Sequence, residues 1–358
     1  MTGTATNYFL GGNTSRGFFS HFNYIISQEN AIKIIALKGG PGTGKSSLMK
    51  KVGKYYLDKG CDVEFHHCSS DDNSLDGVLI KPLNVALLDG TAPHIIDPVN
   101  PGAVDDIVNM AVCLNDKVLR ANKESILDIN NQIGKSFKRA YRYFGAAKHL
   151  YEDWYLFNKE ALNTYELNIL KENLKNEILP NSLSALGMKR HLFATGFTPN
   201  GIITYIDNII EPLDNIYILK GNPGTGKTEV LNYIADEATR RGFDVEILHT
   251  PLIPENIEHL IIPDLSLAIV TSNRITNKDF EGTLFDMNTL LNEETLNPNE
   301  DKIKESSDLF YELLNKGLNC INESKSLHDI LESYYVPNMN FKKADEIFLE
   351  IITKINNL

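Results

Sequence analysis

"ALKGGPGTGKSSL" (36–48) and "ILKGNPGTGKTEV" (218–230) are near-copies of one pattern within a chain of 358 residues. In each, an apolar run leads into a Gly-rich turn, and a helix-forming stretch follows. Both satisfy G-x-x-x-x-G-K-[ST], from Gly39 to Ser46 and from Gly221 to Thr228. Glycines let the backbone curl so that successive N–H groups point inward at phosphate oxygens. The helix that follows presents its positive N-terminal end to the same phosphates. The expected ATP contacts in the first half are Gly39, Gly40, Gly42, Thr43, Gly44, Lys45, Ser46 and Ser47. In the second half they are Gly221, Asn222, Gly224, Thr225, Gly226, Lys227, Thr228 and Glu229. Lys45 and Lys227 would reach the β/γ-phosphates, and the hydroxyls of Ser46 and Thr228 would hold Mg²⁺.

The likeness runs outward from the loops. Upstream, "GNTSRG" (12–17) matches "GFTPNG" (196–201), and downstream "KGCDVEFHH" (59–67) matches "RGFDVEILH" (241–249). "NVALLDGT" (84–91) lies opposite "SLAIVTSN" (266–273), and "KHLYED" (148–153) echoes "KSLHDI" (325–330). This is the signature of an internal tandem repeat. Breakers in "LPNSLSALGMKR" (179–190) set the boundary. The length also exceeds one ordinary core. The expected fold class is α/β: two tandem P-loop NTPase domains, 1–184 and 185–358. Each is read as a mainly parallel sheet flanked by helices, with a helical C-terminal extension over about 103–180 and 301–357. The extension is expected to form a lid, an appendage or an interface beside each sheet.

A working site also needs a carboxylate at a neighbouring strand end to hold the metal shell. The first half supplies Asp89 at the end of "NVALLD", a residue that could equally cap a turn. The second half has Thr271 there, between Val270 and Ser272. The first half is therefore expected to be a Mg²⁺-dependent ATPase, with Lys45 and Asp89 catalytic and Asp89 a metal-shell ligand alongside Ser46. The second half is expected to bind nucleotide with weak or no turnover. A general base must come within hydrogen-bonding reach of the nucleophile. After the second strand, "HHCSSDDNSLDG" (66–77) offers Asp71, Asp72 and Asp76, with Asp71 and Asp72 taken as catalytic candidates. The matching stretch "HTPLIPENIEHL" (249–260) offers Glu255 and Glu258. The bland alternative is a solvated acidic loop. Two other functions stay open. One is a small-molecule or nucleotide kinase with an acceptor pocket beside Asp71 or Asp72, under a helical lid built from 103–178. The other is a non-catalytic nucleotide-dependent switch that acts on a protein partner.

Other features carry less. "FHHC" (65–68) would alternate faces on a strand and has no second Cys/His cluster to complete a tetrahedral metal site, so it reads as strand residues, with His67 and its counterpart His249 near the nucleotide. His94 is a weak candidate for sensing the γ-phosphate. The repeated Gly-x-Thr-x-x-Gly element (Gly12, Thr14, Gly17) reads either as a loop over base and ribose, with Phe18 or Phe19 stacking and Arg16 as a charge-stabilising finger, or as a turn capping the sheet edge. On a helix, Phe137, Tyr141 and Phe144 share one face while Lys138, Arg139 and Arg142 lie elsewhere. That pattern reads as a buried aromatic stripe with a basic outer face, or as a surface for an anionic partner.

Composition narrows the class. Hydrophobic residues make up 42% and charged residues 23%, the balance of a globular protein. No apolar run is long enough for a membrane span, and the first residues do not read as a secretory signal. The four cysteines have no paired spacing, which fits a reducing cytoplasm. The net charge of −12 is uneven. Residues 1–184 hold 20 Lys+Arg against 20 Asp+Glu, and residues 185–358 hold 15 against 27. An acidic second half argues against nucleic-acid binding there and leaves the question open for the first half.

The two loops, the "VALLDGTAPH" stretch (85–94) and the duplication together resemble a family of bacterial ATPase-like proteins with tandem P-loop domains, found in spore-forming Firmicutes. The resemblance covers the whole chain and implies ATP binding and a P-loop NTPase fold in each half. It brings no substrate with it. The short string "GGPGTGK" (39–45) is also similar to loops of AAA-type ATPases and nucleotide kinases.

Overall fold

The computed structural model describes residues 2–91, 96–181, 185–276 and 278–358. The first half runs through β1 (Ala5–Phe9), a hairpin of β2 (Gly11–Thr14) and β3 (Gly17–Ser20), β4 (Lys33–Lys38) and helix α1 (Lys45–Asp58). It continues through β5 (Val63–Cys68), β6 (Asp71–Ile80), β7 (Val85–Asp89) and β8 (Asp105–Asn109) to the helices α2 (Asp116–Ala121), α3 (Lys123–Ala161) and α4 (Thr164–Ile178). The second half repeats this plan. Its elements are β9 (Lys189–Leu192), β10 (Thr195–Thr198), β11 (Gly201–Thr204), α5 (Ile206–Ile210), β12 (Asn215–Lys220) and α6 (Lys227–Arg240). Then come β13 (Val245–His249), β14 (Ile257–Ile262), β15 (Leu267–Ser272), β16 (Thr283–Asp286), α7 (Glu293–Leu296), α8 (Glu300–Tyr335) and α9 (Phe341–Asn356).

Each half builds a six-stranded mixed sheet. The orders are β1-β5-β6-β7-β4-β8 and, in the matching sense, β9-β13-β14-β15-β12-β16. One strand in each, β6 and β14, pairs antiparallel with both neighbours, and the remaining pairs are parallel. The expectation of a loop after the second strand is corrected here. "DDNSLDGVLI" is a strand whose polar start imitates a loop, because a bulged register against β5 absorbs it. The helical expectation for the stretch from residue 103 is corrected in the same way. Residues 105–109 form the edge strand β8, and regular helix begins at Asp116.

Helices α1 and α6 pack on the sheets of their own halves, but the C-terminal helices α4 and α9 cross to the opposite half. Helix α4 starts from the cap of Asn163, whose side chain accepts from the Tyr165 and Glu166 N–H groups. It buries Leu167, Leu174 and Ile178 in one core with Leu219, Val230 and Leu231 of the second half. In the reciprocal arrangement α9 starts from the cap of Asn340 and buries Ile347, Ile351 and Ile355 in one core with Leu48, Met49 and Val52 of α1. Each fully buried isoleucine contributes about 1.5–3 kcal/mol relative to exposure, so this exchange ties the halves together strongly. The long helices α3 and α8 pack against each other. Where they meet, the Phe144 ring occupies the space a Cβ on Gly317 would need. The aromatic stripe of α3 is therefore core, with Phe144 also packed on Phe197.

The sheets meet at their β1 and β9 edges. Phe9 and Phe193 exchange both backbone hydrogen bonds, at 2.9 and 3.0 Å. Beside them Arg190 donates to both oxygens of the buried Glu64 carboxylate and to Glu246, and Tyr8 donates to Glu246. Burial opposes charge at Glu64, yet Arg190 holds its carboxyl far below the usual range. Among the described residues no helix is long and apolar enough to cross a membrane.

Candidate functional site

The two Gly-rich turns take the same backbone path. Gly42 and Gly44 have φ of 66° and 77°, and Gly224 and Gly226 have 82° and 89°, a region only glycine enters without strain. Gly44 and Gly226 are the residues from which α1 and α6 start. In loop one, Lys45 Nζ donates to the carbonyls of Gly39 (3.0 Å) and Gly40 (2.9 Å). In loop two, Lys227 Nζ donates to Gly221 and Asn222, both at 2.6 Å. Thr43 and Thr225 brace their loops by donating to the carbonyls of Gly40 and Asn222.

Beyond the loops the halves diverge. Strand β7 lies directly beside β4, so Asp89 ends next to loop one. Its Oδ2 lies 3.5 Å from Lys45 Nζ, while Oδ1 accepts from the Thr91 N–H at 2.8 Å. Asp89 thus caps its turn and faces the lysine at once. Ser46 Oγ accepts from the Leu75 N–H at 3.0 Å, which ties the start of α1 to β6. The outer face of the loop is closed by the far end of the chain: Tyr335 lies against Gly40 and Gly42, and Val336 against Gly42.

Loop two is closed by the first half. Asn158 donates to the Pro223 carbonyl at 2.6 Å, and Lys159 pairs with Glu229 at 2.5 Å. A Cβ on Gly224 would fall on the backbone carbonyl of Tyr155, and one on Gly226 on the side chain of Leu167. Among the described residues Lys227 has no carboxylate ion-paired with it as Asp89 is with Lys45, and burial pulls its ammonium down to about 7. Thr271 stands in the Asp89 register, and its N–H donates to His259 Nδ1 at 3.1 Å.

Behind loop two lies a chamber of about 680 Å³, its open mouth included, onto which Lys227, Thr228, Glu258, Thr271 and Trp154 face. Glu258 is 2% exposed. Its Oε1 takes a long contact of 3.4 Å from Asn273, and burial pushes its carboxyl up to about 7. In the sheet register Glu258 matches Asp76 of β6, which is equally buried. There Asp76 sits against the Cys68 thiol, whose pKa burial and this neighbour raise. Two of the acidic candidates thus occupy one inward position in both halves.

The other predicted residues sit elsewhere. Asp71 bonds the Ser74 hydroxyl and faces Lys325 at 3.8 Å, while Asp72 accepts from Asn200 of the other half. Lys325 and Asn200 both belong to the second half, so Asp71 and Asp72 lie at the joint between the halves. Glu255 pairs with Arg16 at 2.6 Å on the exposed rim. That pairing gives Arg16 a partner in the other half. The Gly-x-Thr-x-x-Gly elements are hairpin turns: Thr14 donates to the Gly17 carbonyl and accepts from the Arg16 N–H, and Thr198 repeats this with Gly201 and Asn200. Phe19 packs edge-on against Phe193 of the other half. His67 contacts Asn7 and stacks near Tyr205. His249 lies 2.8 Å from His191, and burial lowers it to about 3. Both histidines belong to the joint, not to a loop. His94 lies outside the described residues.

A constant offset would have found the Asp76–Glu258 match: Lys45/Lys227, Asp76/Glu258 and Asp89/Thr271 are each 182 positions apart. Comparison with protein-family models, with curated proteins and with solved structures finds no match.

Proposed function

We propose that the chain binds nucleoside triphosphate, ATP in the first instance, at both Gly-rich loops and hydrolyses it chiefly at loop one. One observation carries this reading: Lys45 sits between the loop carbonyls and Asp89, at the start of a helix whose N-terminal N–H groups face the same turn. Loops of this shape favour anions. Incoming phosphates would replace the Gly39 and Gly40 carbonyls as partners of Lys45. Ser46 Oγ accepts one hydrogen bond and keeps a lone pair, and Asp89 Oδ2 is open toward the lysine, so the donor set fits Mg²⁺. Bound there, the ion would neutralise charge on the β- and γ-phosphate oxygens.

Site two fits a second reading, phosphoryl transfer to an acceptor, and the chamber beside Lys227 and Thr228 favours it. Helix α3 of the first half contributes Tyr151 and Trp154 to this chamber, and the chamber does not include Asp71 or Asp72, the expected neighbours of an acceptor pocket. ATP hydrolysis by the full chain without any acceptor tests the main reading. Phosphate release that falls sharply with Lys45→Ala and Asp89→Asn supports it. Equal losses with Lys45→Ala and Lys227→Ala, or no hydrolysis at all, would overturn it.

A further inference from the structure

Lys227 and Thr228 belong to the end of the loop expected to meet the β- and γ-phosphates. A chamber lined by both lies at the γ-phosphate end of a bound nucleotide, away from its base. Its walls are built for more than water. Leu252, Ile253 and Ile275 make part of the lining apolar, and Tyr151 and Trp154 add aromatic surface from α3.

Among the described residues, three polar atoms on this lining have no hydrogen-bond partner: Glu258 Oε2, Trp154 Nε1 and the Tyr311 hydroxyl. They come from β14, α3 and α8, and Glu258 and Trp154 are each 2% exposed. Buried polar groups are ordinarily paired. Convergence of three unsatisfied groups from separate elements on one space points to a ligand that satisfies them. In the first half the matching carboxylate, Asp76, sits instead against the Cys68 thiol.

Resting on the reading that loop two binds a nucleoside triphosphate, we propose that the chamber seats a second substrate, a small molecule with a hydroxyl group on a flat aromatic body, and that Glu258 takes the hydroxyl proton during phosphoryl transfer. The acceptor oxygen bonds to the γ-phosphorus. The bond from that phosphorus to the β–γ bridging oxygen breaks, and its electron pair leaves with the diphosphate. The acceptor proton passes to Glu258 Oε2. A carboxylate titrating near neutrality suits this exchange, and burial places Glu258 there. Trp154 and Tyr151 give the aromatic body faces to stack on.

Trp154 is the only tryptophan in the chain, so its fluorescence reports on the chamber directly. The experiment uses the full chain with Lys45→Ala, or Asp89→Asn should the first variant fold poorly. A fluorescent ATP analogue reports loop two. Adenosine, guanosine, cytidine and thymidine then serve as acceptor probes, with γ-labelled ATP and Mg²⁺. The proposal expects nucleotide binding, saturable quenching of Trp154 by at least one nucleoside, and label transferred to it. Glu258→Gln should keep the quenching and lose transfer by about 100-fold or more. Bound nucleotide with no nucleoside quenching, label released only as inorganic phosphate, or undiminished transfer by Glu258→Gln each overturns the proposal. Failure of the analogue to bind the Lys45→Ala protein, while binding the Lys227→Ala protein, defeats instead the underlying reading of loop two.

Discussion

Loop one and loop two share "PGTGK", the same positive-φ glycines and the same lysine-to-carbonyl contacts. One lysine faces Asp89, and the other opens onto a chamber with a buried glutamate. The backbone path of the turn is set by its glycines and by the helix that starts from it, so it tolerates little change. Side chains on the neighbouring strands are free of that restraint, and there the halves have parted. Both loops are closed from outside by helices of the opposite half, so neither site is complete without the whole chain.

The largest effect expected from this contrast is catalytic. Lys45→Ala and Asp89→Asn should each lower acceptor-free hydrolysis about 100-fold or more, the scale of losing a charge-stabilising contact. Lys227→Ala should change it by less than about 3-fold. Steady-state phosphate release separates the two, and reversed magnitudes would invert the comparison.

The loops should also differ in tolerance. Gly224→Ala drives a Cβ into the Tyr155 carbonyl in addition to its positive-φ strain, and should cost about 3–5 kcal/mol. Gly42→Ala meets the Tyr335 Cβ at 3.0 Å and should cost about 1–2 kcal/mol. Urea midpoints at constant slope would measure both, and equal losses would show that α3 does not hold loop two as tightly as described.

Glu258 sharpens the comparison through pH. Its folded carboxyl titrates near 7, above its ordinary value of 4.5, so the folded state holds the extra proton between those values. Stability from this group is therefore present below pH 4.5 and is lost as pH rises toward 7. The groups around it are Thr195, Asn273, the neutral His259 and Tyr151, with Lys227 on the same chamber. Lys227, lowered from 10.5 to about 7, acts in the opposite sense between those pH values, so the window from 4.5 to 7 isolates the glutamate. Glu258→Gln should match the parent below about pH 4 and exceed it by on the order of 2–3 kcal/mol at pH 8. A variant no more stable at pH 8 would mean that the carboxylate is already compensated.

The smallest effect belongs to the rim. Arg16→Ala breaks an exposed pair with Glu255 and should cost less than about 1 kcal/mol, with hydrolysis almost unchanged. A large loss of turnover would restore Arg16 as a finger on a nucleotide.

How far the sequence reached follows from what each residue answers to. The loops, their strands and the repeat were legible because glycine spacing and apolar runs answer to local backbone demands. Strand β6 was not, because its four polar leading residues imitate a turn until β5 pairs with them. The crossing of α4 and α9 was hidden for another reason. An amphipathic helix records that one face is buried, not which sheet buries it. Asp71 and Asp72 stood out as acidic pairs beside a strand end, yet their partners Lys325 and Asn200 lie far along the chain. Asp76 and Glu258 were visible among the acidic residues but could not be preferred until the sheet register aligned them.

Equilibrium binding of a non-hydrolysable ATP analogue with Mg²⁺, counted per chain, tests the central claim most directly. Two equivalents for the parent, one for either Lys45→Ala or Lys227→Ala and none for the double variant are the predicted result. One equivalent for the parent, unchanged by Lys227→Ala, would contradict it.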